Sequence, residues 1–176
     1  VRMRPRVRKA ALLAHVACSV GWIGAVAAFL VLAVAGVSAS GDVVVRSSYV
    51  AMDLLTGYAI VPLALASLIT GLVQAVGTEW GLLRHYWVVV KLLVTVVAVA
   101  VLLLQVDSIG FLAEAMARPQ PPDEVLGGAR ISLVVHAGAG LVVLLVPMVL
   151  SIYKPRGLTR FGRGVERPKT GWVRGR

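Results

Sequence analysis

GTEWGLLRHYWVVVKLLVTVVAVAVLLLQ, residues Gly77 to Gln105, decides the fold. From Tyr86 to Val106 the only charged side chain is Lys91. About 20 apolar residues in a helix span the ~30 Å hydrocarbon core of a bilayer, so this run reads as a membrane span. The polar turn before it holds Glu79, Arg84 and His85, and Trp80 and Trp87 sit where an interfacial aromatic belt belongs. A charge inside an apolar helix is costly in lipid, so Lys91 needs a reason.

Working outward, three more runs have the same character. Residues 10–37 carry no charge, residues 47–76 carry only Asp53, and residues 131–153 carry none. The chain is 59% hydrophobic over 176 residues, with mean hydropathy +0.87, which excludes an ordinary soluble domain. The fold class is therefore all-α, an integral membrane four-helix bundle with spans at about 10–37, 47–76, 86–106 and 131–153. The first apolar run is too long for a signal peptide and lacks a clear cleavage site, so it is a retained span. Residues 1–9 form a basic leader, and residues 154–176 form a basic, glycine-rich tail expected to be disordered.

Charge sets the orientation. Of the 18 basic residues, all but Arg46, Lys91, Arg118 and Arg130 lie in the leader, the tail or the turn before Tyr86. Lys and Arg beside spans stay in the cytoplasm, so both termini are cytoplasmic, in the cytoplasmic membrane of a bacterium. The net charge of +10 thus reports topology and contact with anionic lipid headgroups, with no nucleic acid as partner. Cys18 is the single cysteine, so no disulfide forms within the chain.

Helical spacing gives each span one polar stripe. His15, Ser19 and Trp22 share a face of the first span. Asp53, Gly57, Ala64 and Gly71 share a face of the second, where Pro62 is expected to kink the helix and free the Tyr58 carbonyl. Trp87, Lys91, Thr95, Ala98 and Gln105 line the third. Ser132, His136, Gly140, Pro147 and Ser151 line the fourth. Residues 38–46 read as a loop, residues 108–117 as a helical continuation, and residues 119–124 as an extended turn.

Depth then pairs the stripes. His15 lies ~7–8 Å in from the cytoplasmic edge, counting ~1.5 Å of rise per residue, and Lys91 enters from the same side to a similar depth. Asp53 and His136 enter from the other side to matched depths. Two layers are expected: an inner one with His15 and Lys91, and an outer one with Asp53 and His136. Structural roles stand beside chemical ones. Lys91 can snorkel to the interface, His15 can bond a neighbouring carbonyl, and Asp53 with His136 can form a packing pair. Chemically, a neutral imidazole in an apolar bundle suits haem iron, and His15 with Cys18 suits a soft metal weakly. No phosphate-binding glycine loop, HExxH or nucleophile elbow occurs, which gives the common nucleotide-dependent and hydrolytic classes little support.

HVACSVGWIG (15–24), VPLALASLITGLVQAVGTEWGLLRHYWVVVKLL (61–93) and SIYKPRG (151–157) give the chain, up to about Gly157, a resemblance to a family of small actinobacterial four-span integral membrane proteins. That resemblance implies the fold and no activity. Two fragments also resemble, more distantly, the four-helix protoporphyrinogen oxidases and the copper-resistance D-type membrane proteins. These are His15-x6-Trp22 and Trp87-x3-Lys91-Leu92. The oxidase resemblance implies that His15 binds haem b and that Lys91 is functionally required. After Trp22 the oxidase pattern has an aromatic, arginine-containing segment, where this chain has AVAAFL (25–30).

The functional expectation is a membrane protein that binds haem b, or takes part in membrane redox chemistry, through His15 and Lys91, with His15 on the iron. The alternatives are an accessory protein that binds a membrane protein partner, and a small-solute or proton pathway gated by Asp53 and His136.

Overall fold

The computed structural model describes residues 3–77, 85–118, 123–153 and Thr159, with backbone only at Ala117 and 123–126. The chain forms four helices: α1 (Pro5–Ser38), α2 (Asp42–Gly77), α3 (Tyr86–Ala117) and α4 (Asp123–Tyr153). Each contains a stretch long and apolar enough to cross a membrane. The fold is all-α, as the hydropathy pattern requires.

The helices run alternately up and down. α1 packs on α2, α2 on α3, α3 on α4, and α4 closes back on α1. Consequently α1 and α3 face each other across the centre. One end of the bundle carries the start of α1, the end of α4 and the α2–α3 connection, and is called the terminal end below. The opposite end carries the other two connections. Packing residues come from all four helices, among them Phe29 and Ala33 of α1, Met52 and Ala64 of α2, Leu112 of α3 and Leu144 of α4. Leu13, Val31, Leu104 and Ile152 point outward, each more than two-thirds exposed, and make an aliphatic exterior suited to lipid tails.

Helix boundaries follow their terminal chemistry. Pro5 occupies the first turn of α1, where a missing N–H costs nothing. The expected loop at 38–46 shrinks to residues 39–41, because Asp42 sits in the first turn of α2, where a carboxylate favours the helix dipole. α4 starts at Asp123, so the backbone of Asp123 and Glu124 is helical rather than extended. Residues 108–117 continue α3, as expected. The expected turn at 78–84 and the basic tail, apart from Thr159, lie outside the described residues.

In α2 the backbone widens into one π turn at Thr56–Ile60, just before Pro62. The N–H of Val61 reaches back to the Thr56 carbonyl. The turn absorbs one extra residue next to the proline. It also changes which residues share a face. At about 100° per residue, a regular helix would align Asp53 with Ala64 and Gly71. With one residue absorbed, Asp53 falls roughly 100° off that line. The inward face instead reads Tyr49, Met52, Thr56, Ile60, Ala64 and Ser67, while Asp53 and Gly57 are exposed. The single stripe expected along the second span is therefore two stripes, offset at the bulge.

Candidate functional site

His15 lies two turns into the apolar part of α1 and points at α2. Its Nδ1 is 3.1 Å from the Ser67 carbonyl and 3.1 Å from the Thr70 hydroxyl. Thr70 in turn donates to the Ala66 carbonyl at 2.6 Å, as helix-buried hydroxyls commonly do. A ring nitrogen facing a backbone carbonyl carries the proton, so Nδ1–H donates to Ser67 and Nε2 keeps its lone pair. Gly71 makes room for the ring: a Cβ there would sit 3.0 Å from His15 Cε1.

Lys91 reaches His15 across the bundle diagonal. Its Nζ donates to Ser151 Oγ of α4 at 2.8 Å and lies 3.4 Å from His15 Nε2. Ser151 passes its own proton to the Pro147 carbonyl at 2.7 Å, which leaves its lone pairs to Lys91. Pro147 lacks an N–H, which frees the Val143 carbonyl one turn earlier; its own carbonyl is an ordinary helix acceptor. The expectation that Lys91 snorkels to the interface is therefore corrected. The ammonium finds two acceptors inside the bundle, so it has no need to leave. Ser19 adds a hydroxyl–hydroxyl bond of 2.7 Å to Ser67. All four helices thus meet in one polar layer near the terminal end. Depth counting brought His15 and Lys91 together, but it did not include Ser67, Thr70 or Ser151.

Beside this layer is a cavity of about 750 Å³. His15, Lys91, Arg8, Gln74, Trp87 and Ser151 are among the residues that line it. Among the described residues its wall contains two cationic side chains and no carboxylate. Trp87 therefore lines a cavity and is half-buried, beyond the belt role assigned from sequence; Trp80 lies outside the described residues. Tyr86 and Tyr153 are exposed at the terminal end, as belt residues are.

The outer pair does not assemble. Asp53 is exposed and lies against α3, where a Cβ on Gly110 would sit 3.6 Å from its Oδ1. His136 is also exposed and turns its Nδ1 to the Ser132 carbonyl of its own helix at 2.7 Å. The offset at the π turn is the reason: it swings Asp53 toward α3 and away from α4. Cys18 is half-buried, and His15 turns its Nδ1 to the Ser67 carbonyl of α2 and its Nε2 to Lys91 of α3. Among the described residues no group of three or more His, Cys, Asp or Glu side chains is placed to hold a metal ion.

Sequence reasoning missed Arg130. It donates to Tyr49 Oη at 3.0 Å and to the Gly36 carbonyl, and its guanidinium lies 5.6 Å from the Tyr49 ring centre. Tyr49 is 2% exposed, and a Cβ on Gly36 would meet its ring at 2.9 Å. Arg130 thus ties α4 to α1 and α2 at the end opposite His15. The signal was present as an arginine directly abutting an apolar run, but such residues usually mark only a boundary.

A second, mostly apolar cavity of about 230 Å³ lies between the helices further from the terminal end. Trp22 lines it and is 4% exposed, and among the described residues its indole Nε1 has no hydrogen-bond partner. The stripe of His15, Ser19 and Trp22 therefore serves two different cavities. No protein-family model, characterised protein or solved structure matches this chain.

Proposed function

We propose that this is a multi-pass protein of a bacterial cytoplasmic membrane, with both ends in the cytoplasm, whose terminal-end cavity binds an anionic, flat, largely apolar ligand, haem b. One observation carries this reading: an imidazole oriented by a backbone carbonyl presents Nε2 beside a lysine, in a cavity whose described wall holds cations and no carboxylate. Haem brings four nitrogens of its own, so a single histidine would suffice to hold it where a bare metal ion would need more ligands. The Nδ1–H bond to the Ser67 carbonyl is the contact that orients metal-binding histidines and raises their basicity. Lys91 and Arg8 are the side chains suited to the propionates. When bound, haem would supply one-electron chemistry; the chain's own part is to bind, orient and shield it.

His15 Nε2 can serve iron or Lys91, not both. At 3.4 Å the lysine contact is long, and Ser151 holds the ammonium independently. The test is the absorption spectrum of the purified protein in detergent after addition of haemin. A Soret band that disappears in His15→Ala is expected. No band, or a band unchanged in His15→Ala, overturns the reading.

A second reading has its own support, since His15, Lys91, Ser67, Thr70 and Ser151 all find partners within the layer. An accessory protein would use that layer to lock helix register and would meet a membrane partner elsewhere. It predicts that His15→Ala and Lys91→Met lower stability alone, and that pull-downs return a constant membrane partner.

A further inference from the structure

The 230 Å³ cavity holds chemistry that the haem reading does not use. Its wall is apolar except for a few hydrogen-bonding groups, and three of these have capacity left. Trp22 Nε1–H is a buried donor without an acceptor. Gln105 is half-buried and makes no hydrogen bond among the described residues. His136 donates from Nδ1 to the Ser132 carbonyl, so its Nε2 is left as an acceptor. A buried N–H without a partner costs roughly 1–3 kcal/mol, and lipid tails cannot relieve it. The missing partner is an acceptor oxygen on an otherwise apolar molecule.

Access and size narrow the ligand further. Val97, Val101 and Val143 line the cavity and are also at least one-third exposed, so it opens sideways between α3 and α4 toward the lipid. A molecule arriving that way is lipid-soluble. The volume suits one substituted ring, with any tail left in the bilayer. We propose that this cavity binds the ring of a lipid-soluble quinone, with Trp22 Nε1–H donating to one carbonyl oxygen. The reduced ring fits too, because its hydroxyl donates to the acceptor at His136 or Gln105. The π turn at Thr56–Ile60 contributes Thr56 and Ile60 to the wall, so the bulge shapes the cavity. This proposal stands apart from the haem reading, since the two cavities share no lining residue.

The experiment is equilibrium dialysis of the full chain, in detergent, against duroquinone and against durene. These two have the same ring and methyl groups and differ in the two carbonyls. Saturable duroquinone binding is expected. Trp22→Phe keeps the aromatic packing but removes the donor, and should weaken duroquinone by about 10-fold, one hydrogen bond's worth, while durene binds both proteins alike. Gly140→Leu tests the place: Gly140 lines the cavity and a Cβ there meets nothing within 4 Å, so a side chain at this position starts into open space. It should abolish binding of both compounds. Should Trp22→Phe fail to fold, Gly140→Leu alone decides. Absence of saturable duroquinone binding, equal binding by Trp22→Phe, or unchanged binding by Gly140→Leu overturns the proposal. Haemin binding should be the same in both variants, so failure here is distinguishable from failure of the haem reading.

Discussion

Two cations are held inside this bundle, and their surroundings differ. Arg130 is clamped between helices. It has the Gly36 carbonyl, the Tyr49 hydroxyl and the Tyr49 ring face, with Gly36 packed closely on the Tyr49 ring. Lys91 has one good acceptor, Ser151, one long contact to His15, and a cavity of about 750 Å³ alongside. Arginine offers five donors in a rigid fork, which suits a fixed clamp between helices. Lysine offers three rotatable donors on a flexible stem, which suits a charge that must meet something else. The comparison teaches that a buried charge marks a binding site when partners and packing leave capacity over, and marks a structural tie when they do not.

The largest test of this contrast is Lys91→Met. Haemin affinity should fall by about 100-fold, the loss of one charge-assisted contact of roughly 1.5–3 kcal/mol, while the melting temperature in detergent changes little. The freed Nε2 lone pair returns little, because the contact it loses is already long. Arg130→Met should do the reverse. It should lower stability by about 2–3 kcal/mol, read by thermal or denaturant unfolding in detergent, and leave haemin titrations unchanged. Equal effects of the two substitutions on both readouts would break the comparison.

Smaller effects sharpen it. Gly36→Leu forces a side chain into the Tyr49 ring and should cost ~1–3 kcal/mol of stability by overpacking, again without touching haemin. Gly71→Ala sets a methyl 3.0 Å from His15 Cε1. The ring must shift by a few tenths of an ångström, so haemin affinity should drop ~3–10-fold, with under ~1.5 kcal/mol lost in stability. Ser151→Ala is expected to be mildest, near the ~0.6 kcal/mol average for a hydrogen bond between helices in a membrane, because His15 Nε2 remains for the lysine.

Much of the fold was legible because lipid imposes a strict rule. Every backbone group in hydrocarbon must be bonded within its own segment, so an apolar run of sufficient length has one answer. Four runs meant four helices, and the even number put both ends on one side. The helix starts at Asp42 and Asp123 were legible in principle, since an acid at a helix N-terminus is a start signal, but loop-like neighbours concealed them. His15 and Lys91 were placed together because both enter from one edge, and rise per residue alone converts position into depth.

The rest required the fold itself. Depth says nothing about rotation, so no count along the chain could state that Lys91 would cross the diagonal to His15 and Ser151, or that Arg130 would reach Gly36 and Tyr49. The π turn is the clearest case. Pro62 announced a disturbance, but that the helix would absorb one residue beside it depended on how α2 packs on its neighbours. That choice rotated Asp53 out of the layer it had been assigned and brought Thr56 and Ile60 to the wall of the second cavity. Composition and periodicity determined four spans, their order and the depth of each polar group. Only the packed bundle decided which groups face one another, because a helix's rotation is set by side chains that lie far apart in sequence.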